Sequence, residues 1–233
     1  MIIDKNIKGK IIYIEGHSES VKQSCQALDS FESNGFINVK REPGITPETL
    51  DHKKFTYKIT ENSRLKSFIN NKKKFLTKLS CVHNHLKLCQ EIIYNQSAQL
   101  FAEHDCICID SFESIEVEDF CFLNYDTAFT RDSFKKNKFK KYKGSSKSGV
   151  QKFPIDYPLK CNYNSIYKGA ILPPGTAGYI LTPSGAEKII EAVKLHGLEQ
   201  SDFLINSYNL KLEYISPSIC TYNPINLKTS HGF

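Results

Sequence analysis

The segment Ile11-Ile12-Tyr13-Ile14-Glu15-Gly16-His17-Ser18 decides how we expect this chain to fold. Its first four residues are β-branched or aromatic, which is typical of a buried strand, and Gly16 provides a turn. We then expect a helix that is capped by Ser18 or Ser20, ends at Asn34-Gly35, and has one apolar face of Val21, Cys25, Leu28 and Phe31. A strand, a glycine turn and a helix in this order begin an α/β fold.

The rest of the chain continues this pattern of strands and helices. We predict a loop over residues 41–64, and Lys72, Lys73 and Lys74 also in a loop, because cations are unfavourable at a helix start. A second helix is predicted from about Thr77 to Asn95, and a third begins at Thr182-Pro183 and ends at Gly197. The predicted strands are Leu100–Ala102, Cys106–Ile109, Cys121–Leu123, Gly178–Leu181 and, as the last one, Leu210–Ile215.

Composition indicates a globular protein that stays in the cytoplasm. The chain has 233 residues, of which 40% are hydrophobic, so we expect a single domain over residues 1–233. No apolar run approaches the roughly 20 residues of a membrane helix, and Met1–Lys10 lacks the apolar core of a signal peptide. The eight cysteines include no CxxC pair, which favours reduced thiols over a disulfide framework. Nothing in the sequence specifies the oligomeric state.

A basic segment forms an insertion at about residues 130–150. Between Arg131 and Lys147 there are eight basic residues and one acid, Asp132, although the whole chain carries a net charge of only +6. Aromatic residues lie among the lysines, which suits contact with nucleic-acid phosphates and stacking on bases. A solvated loop and a surface for anionic lipid headgroups remain alternatives. The lysines that we assign to nucleic-acid or acceptor binding are Lys135, Lys136, Lys138, Lys140 and Lys141.

The tripeptide Glu103-His104-Asp105 is the candidate metal site. If the preceding strand continues through it, Glu103 and Asp105 project to the same side, because side chains alternate along a strand. Two carboxylates at a strand end suit Mg²⁺ or Mn²⁺, which can bridge a diphosphate and neutralise its charge as it leaves. The alternative interpretation is a pair of solvated acids in a loop.

Two histidines lie on the helix that precedes this strand. His83 and His85 are two residues apart, so they point about 200° away from each other and do not chelate one ion together. His85 and Cys89 have a suitable spacing, but a structural zinc site needs four ligands and the sequence offers no second pair. Taken by itself, His85 is a packing or helix-surface histidine.

Three motifs in order resemble the family 25 glycosyltransferases, which include the lipooligosaccharide sugar transferases. The first is Ser80-Cys81-Val82-His83-Asn84-His85, similar to that family's Gly-Cys-x-x-Ser-His helix, with Ser80 and Asn84 as departures. The second is Leu100–Asp105, similar to its strand ending in paired acids, here with His104 between them. The third is Gly178–Ala186, similar to its strand, turn and helix, and Asp202 then falls where the family has an acid.

The resemblance implies a GT-A type fold, an α/β mixed sheet between helices, and a nucleoside-diphosphate sugar as donor. It implies that Glu103 and Asp105 hold Mn²⁺ or Mg²⁺, with His104 as an orienting group or third ligand. The turn Gly16-His17-Ser18 would approach the nucleotide, because Ile12–Ser18 resembles the start of the nucleotide-binding half. Asp202 would be the general base if the reaction inverts configuration, and His85 would support the acid pair.

Two acceptors and one different class of function remain open at this point. The resemblance favours a glycan or lipid-linked saccharide, whereas the basic segment favours a hydroxymethylated base in DNA. The other class is a catalytically silent nucleic-acid-binding protein on a degenerate transferase fold. The nucleotide, the sugar and the stereochemical outcome do not follow from the sequence.

Overall fold

A central mixed sheet with helices on both faces organises the chain. The computed structural model describes residues 1–51, 57–125, 147–157, 159–162 and 166–223, and the elements, contacts and distances are those of these residues. The helices are α1 (Ser18–Ser33), α2 (Lys72–Asn95), α3 (Pro183–His196) and the one-turn α4 (Ser201–Leu204), with a 3₁₀ helix at Arg64–Phe68. The strands are β1 (Ile2–Asp4), β2 (Lys8–Tyr13), β3 (Val39–Pro43), β4 (Gln99–Glu103), β5 (Cys106–Cys108), β6 (Ser114–Glu116), β7 (Phe120–Phe122), β8 (Gly149–Lys152), β9 (Gly178–Leu181), β10 (Leu212–Ser216) and β11 (Cys220–Tyr222).

Seven of these strands form the central sheet in the order β3-β2-β4-β9-β7-β10-β8. β2 is parallel to both β3 and β4, and β7 is parallel to β10. β9 runs antiparallel to β4 and β7, and β8 runs antiparallel to β10. The carboxyl ends of β2, β3, β4, β7 and β10 therefore meet at one edge of the sheet, which we call the carboxyl edge.

Each face of the sheet buries its own core. On one face α1 packs over Ile11, Leu100 and Ala102, together with the small β5–β11 sheet. On the other face α2 and α3 pack over Phe101, Tyr179 and Leu181. This single α/β domain with a mixed sheet between helices confirms the predicted fold class and agrees with a GT-A-like arrangement.

Local sequence signals located several elements correctly. β2, β4, β7 and β9 lie where the apolar runs predict strands, and α3 is the most accurate match. Thr182 caps α3 by accepting a hydrogen bond from the Gly185 amide at 3.2 Å, and Gly197 ends the helix. All eight cysteines are free, as their spacing predicts. Within the described residues, no helix is long and apolar enough to cross a membrane.

The predicted cap of α1 and most of its predicted buried face are wrong, although Phe31 is buried and the helix ends at Asn34-Gly35 as predicted. The cap is His17, whose ring nitrogen Nδ1 accepts a hydrogen bond from the Ser20 amide at 3.2 Å. Polar Ser20 and Ser24 are buried against the sheet, whereas Val21, Cys25 and Leu28 are only half-buried. Burial of the serines is satisfied by hydrogen bonds: Ser20 accepts one from the Ile14 amide at 2.9 Å, and Ser24 donates to the Val21 carbonyl at 2.8 Å.

Three further boundaries also differ from the prediction. α2 begins at Lys72 rather than Thr77, because the Asn71 side chain caps it and the first lysines point into solvent, where water screens the helix dipole. β3 occupies the first part of the predicted 41–64 loop as an edge strand. β10 is not the last strand, because β11 follows it and pairs with β5.

Candidate active site at the carboxyl edge

A cleft opens at the carboxyl edge, beside the ends of β2 and β3. Its volume is about 700 Å³, and its lining consists of Ile14–His17, Pro43–Thr46, Glu48 and Thr49. Gly16 has a φ of +79° and open space where a side chain would project, so the backbone there is accessible to a ligand. Gly16, His17 and Ser18, the predicted nucleotide-binding residues, are all exposed, and the first two line this cleft.

The candidate acids follow β4 at the same edge, but the strand ends earlier than their predicted geometry requires. β4 stops at Glu103, and His104 and Asp105 form a two-residue turn before β5. Glu103 and Asp105 therefore do not lie on one continuous strand, and the predicted projection of both side chains to one side does not follow from strand geometry. The turn is held at both ends: the Glu103 amide donates to the Ala177 carbonyl at 2.7 Å, and the Asp105 carbonyl accepts from the Asn223 amide at 2.8 Å.

Glu103 belongs to the α2 face of the sheet, and His104 interacts with residues of α1. Phe101, two residues before Glu103, packs in the core under α2, and Glu103 contributes to raising the pKa values of Cys81 and Tyr179 there, after burial as the main cause. Burial lowers the pKa of His104, with opposing contributions from Asp105, which raises it, and from His17, which lowers it. The described residues contain no group of three or more His, Cys, Asp or Glu side chains arranged to hold a metal ion.

Asp202 lies at the start of α4 with both carboxylate oxygens engaged. Its Oδ1 accepts a hydrogen bond from Thr176 Oγ1 at 3.3 Å, and its Oδ2 accepts one from Gln200 Nε2 at 2.9 Å. Thr176 and Gln200 are both buried, so the donors are fixed in place. The residue after Thr176 is Ala177, which binds the Glu103 amide. One short loop therefore ties Asp202 to the end of β4.

His85 is buried below Glu103 and Asp202, on the α2 face of the sheet. Its Nδ1 lies 2.6 Å from the Tyr179 hydroxyl, and its ring packs 4.7 Å from the centroid of Phe101. Burial lowers the pKa of His85 to about 4, although Asp202 acts in the opposite direction, so the imidazole is neutral near pH 7. Burial also raises the pKa of Tyr179 well above its usual range, so its hydroxyl keeps its proton.

The structure therefore brings some predicted site residues together and separates others. Glu103 and Asp202 both lie within electrostatic reach of Cys81 on α2, and Asp202 also of His85, whereas His17 and His104 lie toward α1. The predicted lysines from Lys135 to Lys141 lie outside the described residues. Tyr179, Thr176 and Gln200 also contribute to the site and were not predicted from the sequence. The only local signal for Tyr179 is a polar aromatic side chain within an apolar strand, and the other two carry none.

A comparison with protein-family models matches residues 20–205 of the chain to glycosyltransferase family 25, described as LPS biosynthesis protein. The match covers α1, α2, the acid turn, α3 and Asp202. This chain belongs to glycosyltransferase family 25. Membership supports glycosyltransferase activity in general and agrees with the order of the three sequence motifs. No curated protein matches the chain.

Proposed function

We propose that this family 25 glycosyltransferase moves a sugar from a nucleoside-diphosphate donor to an acceptor hydroxyl with the help of a divalent metal ion. The observation that carries the proposal is the position of Glu103 and Asp105 at the carboxyl edge, where the 700 Å³ cleft also opens. Ligands of open α/β sheets bind at the carboxyl ends of the strands. The whole chain, residues 1–233, would act as one transferase domain with a basic insertion at about 130–150.

The acids fit a metal ion that arrives with the donor. Mg²⁺ is commonly held by one or two carboxylates together with substrate phosphates, rather than by a complete set of protein ligands. Two hard oxygen ligands, Glu103 and Asp105, match that pattern, and His104 would orient them or serve as a third ligand. When bound, Mn²⁺ or Mg²⁺ would neutralise charge on the departing diphosphate.

The other side chains would bind and orient the substrates. Gly16, His17 and Ser18 would contact the nucleotide in the cleft. Asp202, with both oxygens held by Thr176 and Gln200, would accept the proton of the acceptor hydroxyl if the reaction inverts configuration. Neutral His85, fixed by Tyr179, would support the acids from below.

The first test is a mass-spectrometric screen of nucleotide sugars with Mn²⁺, using short glycans and hydroxymethylated DNA as acceptors. We expect transfer from one donor, and slow hydrolysis of that donor when the acceptor is absent. A catalytically silent nucleic-acid-binding protein, the alternative function, would produce neither. Absence of both products for every donor would therefore contradict the proposal.

The acceptor is proposed to be a glycan or lipid-linked saccharide, in keeping with the family description, or a hydroxymethylated base in DNA. One observation favours keeping DNA as the second candidate. The chain leaves the described residues at Tyr125, just after β7, and returns at Lys147, just before β8. Both points lie at the carboxyl edge, so the basic segment is attached next to the candidate site. The same lysines are suited to anionic lipid headgroups, which would bring the protein to a membrane surface.

A lysine-to-serine variant separates these acceptors. Replacing Lys135, Lys136, Lys138, Lys140 and Lys141 with serine should weaken salt-sensitive DNA binding while leaving donor hydrolysis intact. The matched control replaces exposed lysines of α1 and α3, Lys22 and Lys194, with serine. If wild-type protein shows no salt-sensitive DNA binding, the DNA acceptor is wrong. If the five-lysine variant modifies DNA as well as wild type, the assignment of these lysines to acceptor binding is wrong.

A further inference from the structure

Lys78 is a half-buried lysine on the sheet-facing side of α2. It lies three residues before Cys81 and seven before His85, a spacing that places all three side chains on one face of a helix. His85 packs against Phe101 of β4. One turn earlier, Cys81 lies within electrostatic reach of both Glu103 and Lys78.

These contacts fix how far Lys78 extends along the sheet. α2 rises about 5.4 Å per turn, and two residues of a strand span about 6.6 Å, so one helix turn roughly matches two strand residues. His85 is level with Phe101, and α2 runs opposite to β4 because it connects β3 to β4, two strands that both run parallel to β2. Lys78 lies about two turns nearer the start of α2 than His85 and is therefore level with a point beyond Glu103, the last residue of β4. This places Lys78 at the carboxyl edge, within reach of its long side chain.

Lys78 differs in its pairing from other lysines on the sheet and its helices. Other lysines on the sheet and its helices pair with carboxylates: Lys10 with Glu42 at 2.7 Å, and Lys188 with Asp119 at 2.6 Å. Within the described ranges, Lys78 makes no ion pair or side-chain hydrogen bond. Lys78 is therefore partly buried, lies near the acids of the candidate site and has no carboxylate partner among the described residues.

We infer that Lys78 binds the diphosphate of the donor, at the carboxyl edge beyond β4. This inference rests on the proposed function. Glu103, Asp105 and Asp202 make this edge acidic, so an anionic diphosphate needs cations there in addition to a metal ion. A lysine ammonium forms a charge-assisted hydrogen bond to a phosphate oxygen, and its flexible stem lets it follow the group as it departs.

Binding of inorganic pyrophosphate with Mg²⁺, measured by isothermal titration calorimetry, tests this inference without knowledge of the nucleobase. Lys78→Met should weaken binding about tenfold or more, because hydrogen bonds to charged groups contribute about 1.5–3 kcal/mol. Lys78→Arg should retain most of the affinity, since it keeps the cation. The matched control is Lys8→Met, which changes an exposed lysine at the start of β2, level with Gln99 at the opposite edge of the sheet. Its affinity for pyrophosphate should equal that of wild type.

The inference is wrong if Lys78→Met, folded as judged by circular dichroism, binds pyrophosphate like wild type, or if wild type does not bind pyrophosphate. Steady-state transfer kinetics, with donor and acceptor varied in turn, distinguish the source of the phosphate. An increase in the donor KM of Lys78→Met supports the donor diphosphate, whereas a change confined to the acceptor KM overturns it.

Failure of the proposed function would give different experimental results from failure of the role of Lys78. If Lys78→Met loses pyrophosphate binding but wild type neither hydrolyses nor transfers any sugar, the diphosphate site stands and the transferase proposal falls. If wild type transfers sugar and Lys78→Met does so with an unchanged donor KM, the transferase proposal stands and the role of Lys78 is wrong.

Discussion

Replacement of Tyr179 by Phe isolates the hydrogen bond beneath the candidate acids. It removes the hydroxyl that lies 2.6 Å from His85 Nδ1, while the ring keeps its stacking on Phe101 and Phe120. Tyr179 is 1% exposed and His85 is 5% exposed, so water does not replace the lost partner. A buried polar group left without its partner costs about 1–3 kcal/mol. In a domain of this size each kcal/mol lowers Tm by about 2–4 °C.

Urea unfolding followed by circular dichroism measures this effect, with Tyr94→Phe as the control. Tyr94 is on α2 and 88% exposed, so its hydroxyl is hydrated in both states and its removal should change stability by less than about 0.5 kcal/mol. Equal unfolding free energies for Tyr179→Phe and Tyr94→Phe would refute the idea that the buried pair stabilises this part of the site.

Three other predictions concern stability and redox state. The pKa of His85 is lowered to about 4, so between pH 6.5 and 4 the unfolded chain binds a proton that the folded chain does not. The free energy of unfolding should therefore fall by up to ~3 kcal/mol as pH decreases through that window. The fall should be smaller in His85→Gln. An equal dependence of the unfolding free energy on pH in this variant and in wild type would contradict the assignment of the effect to His85. Gly185→Ala should destabilise the protein by about 1–3 kcal/mol, because the added Cβ would lie 2.4 Å from the Asp119 carbonyl oxygen. In the same denaturation assay, Glu187→Ala at an exposed position of α3 should change the unfolding free energy little. Intact mass after alkylation of denatured protein, prepared without oxidant, should show eight modified thiols. Stable disulfides there would oppose the expectation, drawn from the cysteine spacing, that the thiols are reduced.

Elements with local signals are the ones that sequence predicts. Thr182, Pro183 and Gly197 mark α3 because capping and termination depend on neighbouring residues. β3 carries no such signal, since it is a polar edge strand. Its Glu42 pairs with Lys10 and Lys87, which belong to other elements, and only the assembled sheet brings these charges together.

Some residues of the candidate site are likewise marked by the sequence, and their partners are not. Glu103 and Asp105 are recognisable because they adjoin an apolar strand, and His85 and Asp202 because their motifs resemble a family. Their partners Tyr179 and Thr176 are 94 and 26 residues away from His85 and Asp202, respectively. Contacts over such separations depend on tertiary packing, which no local pattern encodes.

Metal-dependent sugar transfer is the central claim, and its most direct test compares wild type with Asp105→Asn in the presence of Mn²⁺ and of excess EDTA. The matched control is Asp29→Asn, an exposed acid on α1 away from the carboxyl edge. We predict that EDTA stops transfer by wild type, that Asp105→Asn nearly abolishes it with Tm close to wild type, and that Asp29→Asn is fully active. Full turnover in EDTA, or a large loss of folding stability in Asp105→Asn that accounts for its inactivity, would contradict the account.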